Sequence, residues 1–336
     1  MRVQSKLRFE PCYISLYRSG ELERRIRKLE AQMASCTVCP RECRVNRLEG
    51  ELGFCHSGYL PIVSSVCAHH GEEPALSGKN GSGTIFFGNC HMRCVYCQNY
   101  QISQDWRKQE SKQTDCHALA ESMLHLQNGL GCHNINLVSP SHFVPQIVRA
   151  VQEAIPMGLR IPLVYNTGGY DSLETIRLLE GIIDIYLPDL RYASDEYAEK
   201  FSSAPDYVKN ARQAIKEMYR QVGDLVLDES DVAQRGVIVR HLVLPNDIAG
   251  SRESLTWLAR EVSTTVTVSI MSQYLPMYRA VTFPELARKI TCAEYQTVLE
   301  LVDELGLENG WMQEMESPEN YVPDFEREGH PFQDRI

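Results

Sequence analysis

Three cysteines lie within eight positions of CHMRCVYC, at Cys90, Cys94 and Cys97, directly after the apolar run TIFFGN. A short loop with this spacing can place three thiolates around one inorganic centre. A structural zinc site needs four ligands, and a [4Fe–4S] cubane normally takes four thiolates, one per iron. Three thiolates therefore leave one iron open to bind and react with another molecule. The alternatives are a zinc ion completed by a distant residue and a coincidental grouping.

A second group of cysteines lies upstream, at Cys36, Cys39, Cys43 and Cys55. Four thiolates are enough to close a zinc site or to hold a second iron–sulfur cluster, and His56 could replace one ligand. In a reducing compartment, grouped cysteines are typical of metal sites rather than of disulfides. The alternative is a set of reduced, partly buried thiols.

The composition is that of a folded protein without a polyanionic partner. The chain has 336 residues, of which 43% are hydrophobic and 23% charged, with a net charge of −10. An acidic chain argues against a nucleic acid or an anionic membrane as partner. No segment reaches the roughly 20 apolar residues that a membrane span requires, and the first residues have no signal-peptide apolar core. We therefore expect a cytoplasmic protein.

The segments that must position the cysteines alternate between apolar runs and helical patterns from Gly83 onward, whereas residues 1–80 look irregular apart from one helix at 19–35. Repeated βα units imply a parallel sheet with right-handed crossovers. Six units cannot complete an eight-stranded barrel, so we expect an α/β fold of the partial (β/α)6 TIM-like kind, with an open doubly wound sheet as the alternative. The predicted domains are a cysteine-rich N-terminal extension at 1–80, the barrel at 81–310 and a C-terminal tail at 311–336. The predicted strands are 83–89, 134–139, 161–167, 183–190, 236–244 and 264–271.

Polar residues follow each predicted strand, which is where α/β folds build their active sites. Any one of these stretches alone would be typical of a turn. Six of them around one triple-cysteine loop favour a shared site. They are Asn89-Cys90, Ser139 to His142, Asn166 to Gly169, Asp189 to Arg191, Pro245 to Asp247 and Ser272 to Tyr274.

At these residues the chain resembles a known family. CHMRCVYC fits the Cys-x3-Cys-x-aromatic-Cys motif of the radical S-adenosylmethionine superfamily, with Tyr96 as the aromatic residue. The cysteine loop ends in Gln-Asn at Asn99, as in the branch that resembles the pyruvate formate-lyase activating enzyme. DIYLPDLRY (184–192) and VRHLVLPN (239–246) are similar to two further strand ends of that branch.

The resemblance implies a [4Fe–4S] cluster held by Cys90, Cys94 and Cys97, with S-adenosylmethionine chelated to the fourth iron. Its reductive cleavage would give a 5′-deoxyadenosyl radical that abstracts a substrate hydrogen. In this branch the substrate is a glycine of a partner protein, which becomes a glycyl-radical enzyme. The electron donor would be of the flavodoxin or ferredoxin type. The alternatives are radical modification of a small molecule or peptide, and a non-catalytic zinc-binding interaction module.

The resemblance also implies where S-adenosylmethionine is bound. The family's Gly-Gly-Glu motif is missing here, and serine hydroxyls of VSPSH (138–142) stand in its place. Arg191 replaces the usual lysine and offers a planar fork suited to a carboxylate. The predicted cofactor-binding residues are Tyr96, Asn99, Ser139, Ser141, Asn166, Asp189, Arg191, Arg240, Gln273 and Tyr274.

Two further segments carry predictions. HHGEE (69–73) pairs histidines with glutamates, and we expect a solvated loop there rather than a metal or substrate site. A strong radical must be kept from water, so a covering segment is expected from the N-terminal 80 residues or from the C-terminal tail.

Overall fold

The computed structural model describes residues 9–315, 322–327 and 329–332. These residues form an α/β fold whose helices and strands alternate along most of the chain. The strands are β1 (Val63–His69), β2 (Ser82–Phe87), β3 (Ile135–Val138), β4 (Leu163–Thr167), β5 (Ile185–Pro188), β6 (Val226–Leu227), β7 (Ala233–Leu242), β8 (Thr267–Met271) and β9 (Gly310–Met312). The helices are α1 (Cys12–Arg18), α2 (Glu21–Ala31), α3 (Pro74–Ser77), α4 (Tyr100–Ser103), α5 (Trp106–Gln109), α6 (Cys116–Leu124), α7 (Val144–Met157), α8 (Leu173–Leu178), α9 (Asp195–Ser202), α10 (Tyr207–Val222), α11 (Ser251–Glu261) and α12 (Cys292–Glu304). Within the described part of the chain, none of these helices has the length and apolar character that crossing a membrane requires.

The sheet runs in chain order, β1-β2-β3-β4-β5-β7-β8-β9, with β6 attached to β7 as an antiparallel hairpin. β1 is antiparallel to β2, and the strands from β2 to β9 along this path pair in parallel. The six predicted strands correspond to β2, β3, β4, β5, β7 and β8. A doubly wound sheet requires a point at which the strand order reverses. The described sheet has no such reversal. Closure of the sheet into a partial (β/α)6 barrel stays a prediction, as does the division into domains.

Local sequence explains why these segments form regular elements. β2 and β3 are buried along their whole length, as expected for parallel strands covered on both faces. Helix α7 has a proline in its first turn and ends at Gly158 with φ +111°, a conformation that glycine adopts easily. Helix α12 begins with a capping box in which Thr291 and Glu294 satisfy each other's backbone N–H groups.

The short helix α3 packs on one face of the sheet. Ala75 and Leu76 of α3 pack against Val164, Ile185 and Ile238 in a cluster separate from the main core. Side chains two residues apart on a strand share a face, so Asn166 lies on the same face as Val164. The α3 segment therefore occupies the sheet face on which the candidate site is built.

The expectation that residues 1–80 are irregular was wrong beyond the single predicted helix. Helices α1 and α2 bury Tyr13, Leu22 and Ile26 in the main core. The Cys12 N–H donates to a carboxylate oxygen of Asp184 at 2.9 Å, which ties α1 to the start of β5. Strand β1 pairs with β2 and completes one edge of the sheet. The polar and Gly-rich composition concealed these elements, because tertiary contacts rather than local pattern stabilise them.

Candidate active site

The loop that carries Cys90, Cys94 and Cys97 is fixed at several points. Asn89, two residues after the end of β2, has φ +63°, a left-handed conformation that asparagine tolerates better than most residues. Its N–H donates to the Ile102 carbonyl at 2.7 Å. Inside the loop, the N–H groups of Arg93 and Val95 donate to backbone carbonyls of α9 at 2.9 and 2.8 Å. The carboxyl end of β2, α4 and α9 together define where the three thiols lie.

All three thiols line one cavity of about 200 Å³. Arg191 donates to the Cys94 sulfur at 3.4 Å, and the Cys97 sulfur lies 3.2 Å from the Ser103 hydroxyl. Burial raises the pKa of Cys90 to about 12, and burial also raises the pKa of Cys97. Both thiols are therefore protonated at neutral pH, and a metal that binds here would have to displace their protons.

The three sulfurs do not converge on one point in this structure. Within the described residues, no group of three or more His, Cys, Asp or Glu side chains is close enough to hold one ion. The same holds for the upstream cysteines, so this absence does not distinguish a single ion from a cluster at either group. His91 does not add a ligand: its Nε2–H donates to the Tyr170 carbonyl at 2.7 Å, inside the core.

Opposite the cysteines, two arginines share one carboxylate. Asp189 accepts from Nη2 of Arg191 at 2.5 Å and from Nε of Arg240 at 2.7 Å. Arg240 also donates to the Asn166 side-chain oxygen at 2.5 Å. Burial alone would raise the pKa of Asp189, but the two guanidinium groups lower it below its usual value. Asp189 is therefore ionised and holds both arginines in fixed positions.

Arg191 has one hydrogen-bond donor without a partner. Its Nε is buried without a hydrogen-bond partner. Gly168 lies beside it, where an added Cβ would stand 3.0 Å from the Met92 sulfur and 3.5 Å from the Arg191 Nε. The backbone N–H of Arg191 donates to the Tyr207 hydroxyl at 2.9 Å, and that hydroxyl in turn donates to the Asp189 carbonyl. Tyr207, which sequence reasoning did not single out, thus fixes the backbone that presents the guanidinium to the cavity.

The remaining predicted cofactor-binding residues divide into two groups. Tyr96, Asn99, Ser139 and Gln273 line the cavity together with the residues described above. Ser139 has φ +57° at the end of β3, and its N–H donates to the Asn166 carbonyl at 2.9 Å. Asn89 and Ser139, which follow two adjacent strands, thus both have a left-handed backbone conformation and lie beside one cavity. Strained backbone of this kind is common at functional sites.

Ser141 and Tyr274 do not line the cavity. The Ser141 hydroxyl is buried 3.2 Å from the Thr167 hydroxyl. The Tyr274 hydroxyl donates to the Leu286 carbonyl at 2.7 Å, and its ring meets Tyr96 edge-on. Both side chains have partners in the protein core, so their positions give no support to the prediction that they bind a cofactor.

The expectation of a solvated loop at Glu72 and Glu73 was wrong. Glu73 is buried, and Glu72, whose side chain is 10% exposed, lines the cavity with a carboxylate oxygen 3.7 Å from Nη1 of Arg240. Burial raises the pKa of Glu72, an effect that Arg240 partly opposes. The reason for the burial is α3, which follows directly and packs into the sheet. The sequence shows the carboxylate pair but not its insertion.

Part of the C-terminal tail forms a wall of the cavity. Pro323 and Phe332 line it, and the Phe332 ring stacks on His69 at 3.9 Å between centroids. Phe325 meets Phe86 of β2 edge-on at 5.1 Å. The expectation that the tail covers the site agrees with these contacts. The tail residues 316–321, 328 and 333–336 lie outside the described residues.

The upstream cysteines line a separate, much smaller cavity of about 10 Å³. Cys36, Cys39, Cys43 and Cys55 all contribute to its wall. The predicted substitute ligand His56 does not: its ring stacks on Trp106, with centroids 4.8 Å apart.

Comparison with known proteins places the chain in a family. It is 31% identical over 282 residues to the uncharacterized protein MJ0674 of Methanocaldococcus jannaschii, a match that covers 82% of this chain and 76% of that protein. The chain belongs to the MJ0674 family. A second M. jannaschii protein, the uncharacterized MJ0808, is 30% identical to this chain over 90 residues. That match covers 23% of this chain and 26% of MJ0808. No family model matches the chain.

Two solved structures share a likeness of fold with this member of the MJ0674 family. HydG, described as a maturase of the [FeFe]-hydrogenase, aligns with a TM-score of 0.44 and 12% identity over 67% of this chain. The chain covers only 49% of HydG. Methylornithine synthase (PylB) aligns with a TM-score of 0.42 and 16% identity, over 74% of this chain and 73% of PylB. At these identities the likeness concerns the fold alone.

Proposed function

We propose that this protein is a radical S-adenosylmethionine enzyme. The observation that carries the proposal is that three thiols of one loop face the same cavity as the paired arginines around Asp189. The chemistry that a [4Fe–4S] cluster with bound S-adenosylmethionine supplies is one-electron cleavage of the sulfonium, which yields a 5′-deoxyadenosyl radical able to remove a substrate hydrogen.

The side chains fit these two groups. Cys90, Cys94 and Cys97 would hold three irons and leave the fourth for S-adenosylmethionine. The buried Nε of Arg191 lacks a partner, and a carboxylate of the methionine moiety would supply one. Gln273 lies on the cavity wall, where its amide could bind a polar edge of the adenosine.

The proposal is tested by anaerobic reconstitution with iron and sulfide, followed by addition of S-adenosylmethionine and dithionite. Wild type should contain a cluster and release 5′-deoxyadenosine, whereas Cys94→Ala should release none while keeping its circular-dichroism spectrum. Cys132→Ala is the matched control, because Cys132 is buried outside both cysteine groups. A Cys94→Ala protein that forms 5′-deoxyadenosine at the wild-type rate would contradict the proposal. So would a wild type that binds zinc but never iron, as a non-catalytic zinc module would.

For the substrate, we propose hydrogen abstraction from a glycine of a partner protein, with electrons from a flavodoxin- or ferredoxin-type donor. The support is the similarity of the cysteine loop and of segments 184–192 and 239–246 to the activating enzymes. The second candidate is a small molecule or short peptide. It is favoured by the tail, because Pro323 and Phe332 wall the cavity and a protein loop would have to displace them.

Deuterium transfer distinguishes the two substrates. Cells grown with Cα-deuterated glycine supply a labelled protein fraction, and cells grown in heavy water supply a labelled small-molecule fraction. Each fraction is incubated with the reconstituted enzyme, and deuterium in 5′-deoxyadenosine is read by mass spectrometry. Label from the protein fraction supports glycyl-radical activation, and label from the small-molecule fraction alone supports the second candidate.

A further inference from the structure

We infer that Cys36, Cys39, Cys43 and Cys55 bind a single zinc ion, and that this ion stabilises the segment that braces the loop of Cys90. The zinc assignment does not depend on the proposed function. The bracing role rests on the proposed function, because it concerns the loop that would hold the cluster.

The size of the space between these thiols favours one ion over a cluster. All four cysteines line a cavity of about 10 Å³, and Cys36, Cys39 and Cys55 are each more than nine-tenths buried. A cavity of that volume accommodates about one water-sized particle. A cubane of eight iron and sulfur atoms would need far more room. A closed set of four thiolates around one ion is the usual arrangement of structural zinc.

The backbone folds tightly so that the thiols can approach. Cys36 exchanges hydrogen bonds with the chain beyond Cys43: its N–H donates to the Val45 carbonyl at 2.9 Å, and its carbonyl accepts from the Arg44 N–H at 3.1 Å. The Phe54 N–H donates to the Cys43 sulfur at 3.4 Å. Gly53 makes this contact feasible, because a Cβ there would lie 2.8 Å from the Cβ of Cys43.

The thiols surround the cavity without converging on one point, since the described residues contain no group already spaced to hold an ion. Each cysteine side chain has a single torsion, χ1, that sets its sulfur position. Binding of an ion would therefore be accompanied by rotation of these side chains. None of the four is paired in a disulfide, so all are free to bind a metal.

Three hydrogen bonds connect this cysteine segment to the loop of the candidate active site. Nε of Arg41 donates to the carbonyl of His91 at 2.9 Å. In the opposite direction, Arg93 donates to the Phe54 carbonyl at 2.7 Å. The side chain of Asn89 donates to the carbonyl that follows Cys55, that of His56, at 3.0 Å.

The same segment packs against the loop through an aromatic ring. The Arg41 guanidinium lies 3.7 Å from the centroid of the Phe54 ring, and that of Arg93 lies 4.9 Å from it. Between Cys36 and Cys55, the described regular structure is one short 3-10 turn, Arg47–Glu49. A segment with so little regular structure gains much of its order from a bound metal, as small zinc modules do. Loss of zinc should therefore loosen the contacts that hold the loop from Asn89 to Arg93.

The first experiment measures the metal directly in wild-type protein. Elemental analysis of protein produced in zinc-supplemented medium should give one zinc per chain that persists after cluster iron is removed. Zinc-edge X-ray absorption should show four sulfur neighbours at about 2.3 Å. Absence of zinc, a second set of cluster irons in its place, or a shell dominated by nitrogen and oxygen would overturn the assignment. None of these results depends on radical activity.

The second experiment tests the bracing role. Cys39→Ser is compared with Cys132→Ser, which changes a buried cysteine outside both groups. The Cys39 variant should lose its zinc and release cluster iron to a ferrous chelator roughly 10-fold faster or more, by analogy with the loss of supporting contacts around metal ligands. If it does not fold, zinc is stripped from wild type with a thiol-displacing reagent and the same release rate is measured. Zinc loss without faster iron release would overturn the bracing role and leave the zinc site intact. A wild type with zinc but no iron would instead refute the proposed function.

Discussion

Replacing Arg191 by glutamine should weaken S-adenosylmethionine binding by roughly 10- to 150-fold, while iron content stays at the wild-type value. The guanidinium is fixed by Asp189 at 2.5 Å and has a buried Nε without a partner. A charge-assisted hydrogen bond of the type that Nε could make to a carboxylate contributes about 1.5–3 kcal/mol, which corresponds to that range of affinity.

The substitution should leave the surrounding network in place. Asp189 keeps its bond to Arg240 at 2.7 Å, so the carboxylate is not left unpaired. Arg191→Lys retains the positive charge but not the planar fork, and it should lose less than about 10-fold in affinity. If the positive charge of Arg191 holds the ligand, the glutamine variant should bind S-adenosylmethionine more weakly than the lysine variant. A general loss of packing would weaken binding equally in both variants.

The assay is equilibrium dialysis of labelled S-adenosylmethionine against anaerobically reconstituted protein. Arg212→Gln is the matched control, since Arg212 also has a buried unpartnered Nε but pairs with Glu253 outside the cavity. The control should bind as wild type does. Unchanged affinity in Arg191→Gln, or an equal loss in the control, would refute the role of Arg191 in holding a carboxylate.

Two further predictions concern buried carboxylates. Asp189→Asn removes the charge shared by Arg191 and Arg240 and should lower the free energy of unfolding by about 3 kcal/mol in urea titrations. Glu304→Gln, in an exposed ion pair with Arg252, should change it far less. Equal effects would contradict the structural role of Asp189. Burial raises the pKa of Asp184 from 3.8 to about 6, so the folded state keeps a proton that the unfolded state releases. Wild type should therefore lose ~3 kcal/mol of stability relative to Asp184→Asn as pH rises from about 3 to 7, with most of the loss between about pH 4 and 6. A wild type that keeps or gains stability relative to Asp184→Asn over that interval would show that the pKa is not raised.

The sequence predicted the elements whose local pattern is strong. The six predicted strands are continuous apolar runs, because both faces of a parallel sheet are buried, and such runs are visible in a single sequence. The cysteine spacing likewise identified the loop after β2, and most of the polar strand ends line its cavity. Ser141 and Tyr274 show the limit: position after a strand does not tell whether a side chain faces the cavity or the core.

What the sequence did not show depends on long-range contacts. HHGEE (69–73) was predicted to be a solvated loop, yet Glu72 lines the cavity because α3 packs into the sheet. Strand β1 is half-buried and polar, and it forms only because β2 offers an edge. Tyr207 is an ordinary aromatic residue at the start of a helix, and its role arises from its contact with the backbone of Asp189, 18 residues earlier in the chain.

Mössbauer spectroscopy of iron-57-labelled, anaerobically reconstituted protein tests the central claim most directly. If three cysteines leave one iron without a protein ligand, the spectrum of one iron in four should change when S-adenosylmethionine is added, and the other three should not. Four equivalent irons whose spectrum is the same with and without S-adenosylmethionine would contradict the account.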